Sequence, residues 1–359
     1  MKKMRIMAIA LTMVAAFAMT ASAADWNFYG SARIATWVDD VDITDKTKKD
    51  YTSFSESLQS DARIGANVKV SDELIGRFEY GASEGKANIR QLYGEWNFGF
   101  GTLLVGHSNT PMCVGISNQA YGGDTCLTYQ GAADASRDAM VRLKFGGFQI
   151  AAVAPKTAAP RTATDAEVAG DAEVDFPRIE AKYTAQFAML TANVAGAYNS
   201  FEFTETGETK VHDVDAWVVG ADVKANFGPA FVGGSLFLGE NAGHIIDIST
   251  NGDNVETQQG YAELTGGKLY DNDALGFTIV AGYTLNDMIS FEAGYGHIVT
   301  EIDKTGAKED EASNYYAQAL ITLAPGVVII PEVGVIDGED DGVNAQKITY
   351  YGAEWKINF

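Results

Sequence analysis

The 359-residue chain sets 48 Asp and Glu against 26 Lys and Arg, a formal net charge of −22. So acidic a molecule excludes nucleic acid as a natural partner and suits divalent cations, or a route that does not repel cations. Its 7 prolines, 38 glycines and 11% aromatic residues favour strands over helices.

The first predicted element is a leader. Lys2, Lys3 and Arg5 precede an uncharged apolar run from Ile6 to Met19, and Ala21-Ser22-Ala23 supplies small residues for cleavage. The run, about fourteen residues, is too short to span a bilayer stably. Residues 1–23 are therefore expected to be a cleaved signal peptide and 24–359 the working domain.

From Trp26 onward the chain has period 2. Trp26, Phe28, Gly30, Ala32 and Ile34 alternate with Asn27, Tyr29, Ser31 and Arg33; Ile179, Ala181, Tyr183, Ala185 and Phe187 alternate with Arg178, Glu180, Lys182, Thr184 and Gln186. Strict alternation marks strands with one apolar and one wet face. About sixteen such strands are predicted, at 26–39, 58–70, 73–84, 87–98, 101–108, 138–145, 148–155, 175–187, 189–203, 213–227, 230–241, 275–285, 288–302, 313–324, 327–337 and 346–359.

The connections alternate in length. Tight turns fall at 71–72, 99–100, 146–147, 228–229, 286–287 and 325–326, while the segments between are mostly long: 40–57, 109–137, 156–174, 204–212, 242–274, 303–312 and 338–345. Only the link near Gly85 is short among the latter. Short turns on one side and long loops on the other are the pattern of an outer-membrane barrel, with turns toward the periplasm. Helical patterns are absent, so nothing could cover the apolar faces; they must meet lipid, and the sheet must close on itself. The expected fold is all-β: a closed antiparallel transmembrane β-barrel. Trp26, Phe28, Phe98, Phe145, Phe187, Phe227, Phe231 and Phe359 sit at strand ends near the short turns, as an interfacial aromatic girdle requires.

The last strand, "YYGAEWKINF", places Phe359, Ile357, Trp355 and Tyr351 on one face. It resembles the closing strand of Gram-negative porins. The resemblance extends through the leader, the "ADWNFYGSARIATW" opening, the sixteen strands and the long third loop, and it is to the homotrimeric general porins. It implies a bacterial outer-membrane channel for passive diffusion of ions and small hydrophilic solutes. It further implies that barrel assembly machinery reads Phe359, Ile357, Trp355 and Tyr351, that the third loop folds into the lumen, and that no cofactor is needed. "AYGGDT" at 120–125 is similar to the tip of that loop in the family.

Candidate lining residues follow from parity: Arg33, Arg63, Arg77, Arg142, Arg178 and Lys182 on the wall, facing Asp124, Asp134 and Tyr121 of the loop. Opposed charges would set up a transverse field. Glu79, Glu180, Asp222, Glu292, Glu354 and Lys356 also face inward, so local pairing is an open alternative. Cys113 and Cys126 are expected to form a disulfide stiffening the loop, worth roughly 3 kcal/mol by the loop-entropy relation. Small outward residues (Gly30, Ala32, Ala66, Gly76, Gly94) suggest a packing interface on the first five strands.

Rival readings are weaker. His107 and Ser108 are adjacent, so on a strand they point oppositely and cannot share a proton. "DGEDDG" at 337–342 has Ile348 where an EF-hand needs a bidentate Glu; no metal site is expected there, only a solvated acidic loop loosely holding divalent cations that bridge lipopolysaccharide. Tyr121 and Tyr129 are thin evidence for a sugar- or organic-acid-specific channel, and a plugged adhesin is a further alternative. The acidic total suggests a mild cation preference.

Overall fold

The computed structural model describes residues 24–44, 48–83, 86–124, 126–250, 259–340 and 343–359. The leader at 1–23 and the link at Gly85 lie outside them. Eighteen paired segments make one closed antiparallel sheet of sixteen wall strands, because the second and eighth strands each come in two segments.

The strands are β1 (Asp25–Ile43), β2 (Tyr51–Leu58 and Arg63–Lys69), β3 (Leu74–Ser83), β4 (Lys86–Asn97), β5 (Thr102–Asn109), β6 (Arg137–Phe145), β7 (Phe148–Val153) and β8 (Gly170–Glu173 and Arg178–Phe187). There follow β9 (Leu190–Glu205), β10 (Val211–Phe227), β11 (Ala230–Glu240), β12 (Asn272–Thr284), β13 (Ile289–Ile302), β14 (Asp310–Ala324), β15 (Val327–Asp340) and β16 (Val343–Asn358). The outer loops are numbered in chain order: loop 3 is 110–136, loop 4 is 154–169, loop 6 is 241–271 and loop 7 is 303–309.

β1 closes the barrel against β16, in register from Ser31 opposite Asn358 to Ile43 opposite Gln346. The Gly30 N–H donates to the Phe359 carbonyl at 2.7 Å and the Phe359 N–H donates back at 3.0 Å. The Phe359 ring then lies over Gly30, where any Cβ would overlap it.

Polarity is inverted relative to a soluble domain. Ile34, Ile64, Val105, Val219, Ile279 and Trp355 are exposed, while Arg33, Glu79, Arg178, Glu180, Glu332 and Glu354 are buried. Period 2 produces this directly: successive side chains leave the sheet on opposite faces, and lipid takes the apolar one. Phe359, 72% exposed, and Ile357, Trp355 and Tyr351 all stand on the outer face as their spacing predicts. Phe231 does not join the girdle. Its neighbour Val232 faces out, whereas the Phe231 ring faces the lumen beneath the Lys224 ammonium, 3.9 Å from the ring centre.

The strands also run longer than predicted. β1 and β2 extend the first hairpin to Ile43 and Tyr51, and β15 and β16 reach Asp340 and Val343. Their polar tips alternate poorly, so hydrophobic spacing ends before the hydrogen-bonded ladder does.

Loop 3 folds into the lumen as expected, and loop 6 follows it. After a 3-10 turn at Ala242–His244, loop 6 buries Ile245, Ile246 and Ile248. They pack with Met112, Val114 and Ala133 of loop 3 and with Ala195, Ala216, Val218, Phe237, Ala274, Ile298 and Ala312 of the wall. Removing each isoleucine from water is worth about 1.5–3 kcal/mol. The Ser249 N–H donates to the Tyr129 carbonyl at 3.1 Å, joining the two loops.

Candidate functional site

Loop 3 crosses the lumen along β8 to β16 and is tied to the wall by carboxylates. Glu180 accepts the Met112 N–H at 2.7 Å, Asp222 the Gly115 N–H at 3.4 Å, Glu292 the Asn118 N–H at 2.7 Å and Glu332 the Ala120 N–H at 2.7 Å. These four acids come from β8, β10, β13 and β15. Beyond its short ladder of Cys113–Val114 with Ala133–Asp134, loop 3 leaves backbone donors unpaired, and buried donors require partners. Side-chain bonds complete the seam: Tyr350 Oη donates to Glu332 at 2.8 Å and Gln119 Nε2 to Tyr350 Oη at 2.8 Å.

Tyr121, expected to line the opening, is a buried anchor instead. Its ring stacks on Tyr350 with centres 3.7 Å apart and meets the edge of Trp37 at 5.2 Å, and its hydroxyl donates to Asp39 at 3.0 Å. Just beyond it, Gly122 and Gly123 adopt positive φ and turn the tip so that Asp124 reaches Arg33 of β1. Burial and nearby Glu354 push the Asp124 carboxyl up, while Lys356 and Arg33 oppose them; burial prevails.

Around that contact the structure gathers a cluster on β1 to β6. Arg33 lies 3.6 Å from Asp61 and 3.9 Å from Glu354. Glu79 receives Arg77 at 2.8 Å and Arg90 at 2.9 Å, with Arg63 at 3.8 Å, and Tyr29 Oη donates to it at 2.7 Å. Arg90 also pairs with Asp61, and Arg137 stands 3.9 Å from it.

Three of the six wall cations chosen by parity, Arg33, Arg63 and Arg77, therefore share one cluster, in which Arg33 contacts the loop tip while Arg63 and Arg77 stand against Glu79. The others do not. Arg142 pairs with Glu95 at 3.7 Å. Arg178 is sealed between Asp138 at 2.9 Å and Glu180 at 2.8 Å, under the start of loop 3. Lys182 donates to the Cys113 carbonyl at 2.6 Å, so it fastens the loop rather than opposing it. Asp134 accepts the Ser136 N–H at 2.8 Å and forms no wall ion pair among the described residues.

Parity missed Arg90, Asp61 and Arg137. A bulge between Glu79 and Tyr80 in the β3–β4 pairing leaves Arg90 the unmatched residue, and it turns inward beside Gly81, where a Cβ would collide with it. Asp61 lies in the break of β2, and Arg137 is the first residue of β6. An arginine adjacent to a polar glutamine, as in "IRQL" at 89–92, was the available bulge signal.

The expected disulfide is absent: Cys113 and Cys126 are free. Cys113 belongs to a two-stranded ladder facing Asp134, while Cys126 Sγ donates to the Asp124 carbonyl at 3.2 Å, at the tip. The loop is held by the carboxylate seam, not by a covalent ring. Burial pushes the Cys113 thiol up to about 12 and raises Cys126 as well, so both stay protonated.

A family description, Gram-negative porin, matches residues 10–341. The chain belongs to the Gram-negative porin family. Solved barrels share its fold. The outer membrane channel DcaP of Acinetobacter baumannii is 17% identical with a TM-score of 0.74, over 95% of this chain and 99% of that one. Outer-membrane expressed OmpT of Vibrio cholerae is 17% identical with a TM-score of 0.60, over 95% and 99%. An anion-selective porin from Comamonas acidovorans is 14% identical with a TM-score of 0.56, over 93% and 100%. No curated protein sequence matches. This porin resides in the bacterial outer membrane and forms a channel for passive diffusion. His107 and Ser108 of the porin are consecutive on β5 and occupy opposite faces.

Proposed function

We propose that solutes pass this porin between the tip of loop 3 and the arginine-bearing arc of β1 to β6, and that the narrowed passage prefers small anions. One observation carries this reading: Arg33, Arg90 and two of the cluster's acids are hidden, and the groups left most open, ahead of Asp61 at 17% and Asp124 at 23%, are three arginines. Glu79 and Glu354 are each 1% exposed, whereas Arg63, Arg77 and Arg137 are 26%, 32% and 28% exposed. A passing ion meets the guanidiniums. The total of −22 resides elsewhere, largely on loops and rims, and screening within about 10 Å at 0.1 M salt limits its reach. The local field therefore opposes the cation preference that the total charge suggests. The test is a reversal potential in a planar bilayer across a salt gradient. Anion selectivity is expected, and a cation-selective reading would overturn the reading.

The same proposal includes a homotrimer packed through Ala32, Gly76 and Gly94 on the outer face of β1, β3 and β4, since the Phe359 ring covers Gly30 and Ala66 is buried, and a leader cut after Ala23. Engagement of assembly machinery by the outward Phe359, Ile357, Trp355 and Tyr351, and of lipopolysaccharide through cations at the acidic rim, belong to it too. Likeness to an OmpT of Vibrio cholerae described in trimer form supports the oligomer. Conductance arriving in steps of three on insertion would support it further; single steps would count against it.

A further inference from the structure

We propose that the outer wall of this porin carries a hydrolase site for fatty-acyl esters of membrane lipids, with Ser313 as nucleophile, His297 as general base and Glu311 positioning the imidazole. It is independent of the channel reading, because all three side chains point away from the lumen. On β13 and β14 the inward residues Gly296, Ile298, Ala312 and Asn314 are buried, whereas His297, Glu311 and Ser313 are partly exposed. His297 stands directly opposite Ser313 in the ladder, and Glu311 lies diagonally, opposite Val299. Unlike the consecutive His107 and Ser108, these groups therefore share one face, where cross-strand side chains touch.

The three groups form one chain. His297 Nδ1 and Ser313 Oγ are 2.9 Å apart, and His297 Nε2 stands 3.5 Å from a Glu311 carboxylate oxygen. Tyr295 Oη lies 3.0 Å from the same Oγ. With Nδ1 accepting the Ser313 hydroxyl, the proton of the neutral ring sits on Nε2, toward the carboxylate. A serine hydroxyl is a weak nucleophile until an adjacent base takes its proton, and that base is oriented by a third group. The Phe277 ring, 5.6 Å from the imidazole centre to centre, and the parallel Tyr295 ring at 6.4 Å flank the base.

Depth selects the substrate. Toward the periplasm the outer face of β14 continues as Tyr315, Ala317, Ala319, Ile321 and Leu323, with no charge; toward the outside the next outward residue is Glu311. Ser313 thus lies at the upper edge of the apolar band, and Tyr315, opposite Tyr295, marks the interface just below it. Lipid ester groups lie at that level, between hydrocarbon and headgroup. Beneath it Phe291, Ala317, Ala319, Pro331 and Val333 line a shallow groove of about 360 Å³ on the outer wall. Ala317 and Ala319 are roughly 13 and 20 Å from Ser313 along the strand, at about 3.3 Å per residue. On a tilted strand that is the depth of one leaflet in a hydrocarbon core about 30 Å thick. An acyl chain seated in the groove brings its ester to Ser313.

The reaction balances with water alone. His297 takes the Ser313 proton as Oγ attacks the ester carbonyl carbon. The Tyr295 hydroxyl is the donor placed to meet the oxyanion, since the backbone N–H groups there are engaged in the ladder. The C–O bond to the lysolipid breaks, its oxygen takes the proton from His297, and the acyl group stays on Ser313. Water entering from the headgroup side, deprotonated by His297, then releases the fatty acid and restores the serine.

The test incubates the purified full chain with mixed micelles of a diacyl phosphatidylethanolamine, or of lipopolysaccharide, and measures free fatty acid. Release is expected from at least one of the two, and the one cleaved names the lipid. Ser313→Ala should abolish release, and His297→Gln should lower it at least about a hundredfold. Glu311→Gln should lower kcat and leave KM in place, because Glu311 meets the imidazole and not the lipid. All three variants should keep the wild-type unit conductance, which shows the barrels folded, since the altered side chains stand outside the channel. A fluorophosphonate probe gives a second reading: Oγ of Ser313 displaces fluoride, so the wild type should carry the label on the peptide holding Ser313 and Ser313→Ala should not. No release from either lipid, release undiminished in Ser313→Ala, or a label absent from Ser313 would overturn the proposal. A barrel that frees fatty acid but does not conduct would instead refute the channel reading and leave this site standing.

Discussion

The two halves of the lumen obey one rule and end in opposite states. Along β9 to β14 the inward positions are small or aliphatic (Ala195, Ala216, Val218, Ala274, Ile298, Ala312), and loops 3 and 6 fill the space with Met112, Val114 and three isoleucines. Along β1 to β6 five arginines, Arg33, Arg63, Arg77, Arg90 and Arg137, gather around Glu79 and Asp61, and the loop tip brings Asp124 to Arg33. Alternation fixes which face points inward, but side-chain size and charge decide whether that face packs or stays wet. Small inward residues leave room for a loop to dock and bury apolar area. Guanidiniums need partners or water, so they hold a gap open.

The strongest way to break this contrast is to charge the packed half. Ile246→Asp places an unpaired carboxylate among Val218, Phe237 and Met112, at a cost of several kcal/mol if it stays buried. Loop 6 is expected to leave the lumen, and single-channel conductance should rise with added current noise. An unchanged, quiet conductance would mean that loop 6 is held by something other than its isoleucines. The complementary change is made in the wet half. Arg77→Glu combined with Arg137→Glu reverses the two most exposed guanidiniums. At about 4 Å in water-like surroundings one unit charge is worth about 1 kcal/mol to a passing ion, about fivefold in permeability ratio. The reversal potential should therefore shift toward cations while unit conductance changes little. A shift of the same size in the packed-half variant would deny that the arc sets selectivity.

How much of this contrast was legible depended on what each residue's position required. The barrel, its closure by "YYGAEWKINF" and the inward course of loop 3 follow from period 2 and alternating loop lengths, which are properties of the whole chain. Arg33, Arg63 and Arg77 followed from parity because their strands pair regularly there. Arg90 did not, because a single extra residue in β4 resets parity. Loop 6 read as a polar connection although "HIIDI" at 244–248 holds the isoleucines that dock it. Five residues are too few to display a period, and only the small inward residues of distant strands reveal their counterpart. The disulfide failed for a related reason: two cysteines in one loop set a possibility, whereas the path of loop 3 is dictated by acids on four other strands.

A smaller effect probes the border between the halves, where loop 3 passes from the packed side to the arc. Glu332 accepts the Ala120 N–H and the Tyr350 hydroxyl. Glu332→Gln keeps the shape and one acceptor but removes the charge, a loss of about 1–2 kcal/mol for charge-assisted bonds made neutral. The expected outcome is flicker at the millisecond scale with an unaltered mean current. A silent trace would show that the other three carboxylates suffice.

The smallest expected effect concerns pH in the packed half. His244 lies in the turn that leads loop 6 inward, edge-on to Phe201 at 5.3 Å and Tyr261 at 4.6 Å. Burial, with Arg161 nearby, drops its pKa from 6.5 to about 3. A base held neutral in the folded loop contributes its full stability above the unfolded value of 6.5. Below that, the released loop takes up a proton that the docked loop cannot, and stability declines progressively until about pH 3. The protection factors of the Ile245, Ile246 and Ile248 amides, corrected for the slowing of intrinsic exchange with acid, should accordingly fall between pH 7 and pH 5, by up to about tenfold per pH unit for one linked proton. His244→Phe should flatten that dependence. Protection along β1 to β6 should not follow the same curve, because the His244 ring touches only the packed side. If both halves loosened together, the two would be one cooperative unit and the division drawn between them would fail.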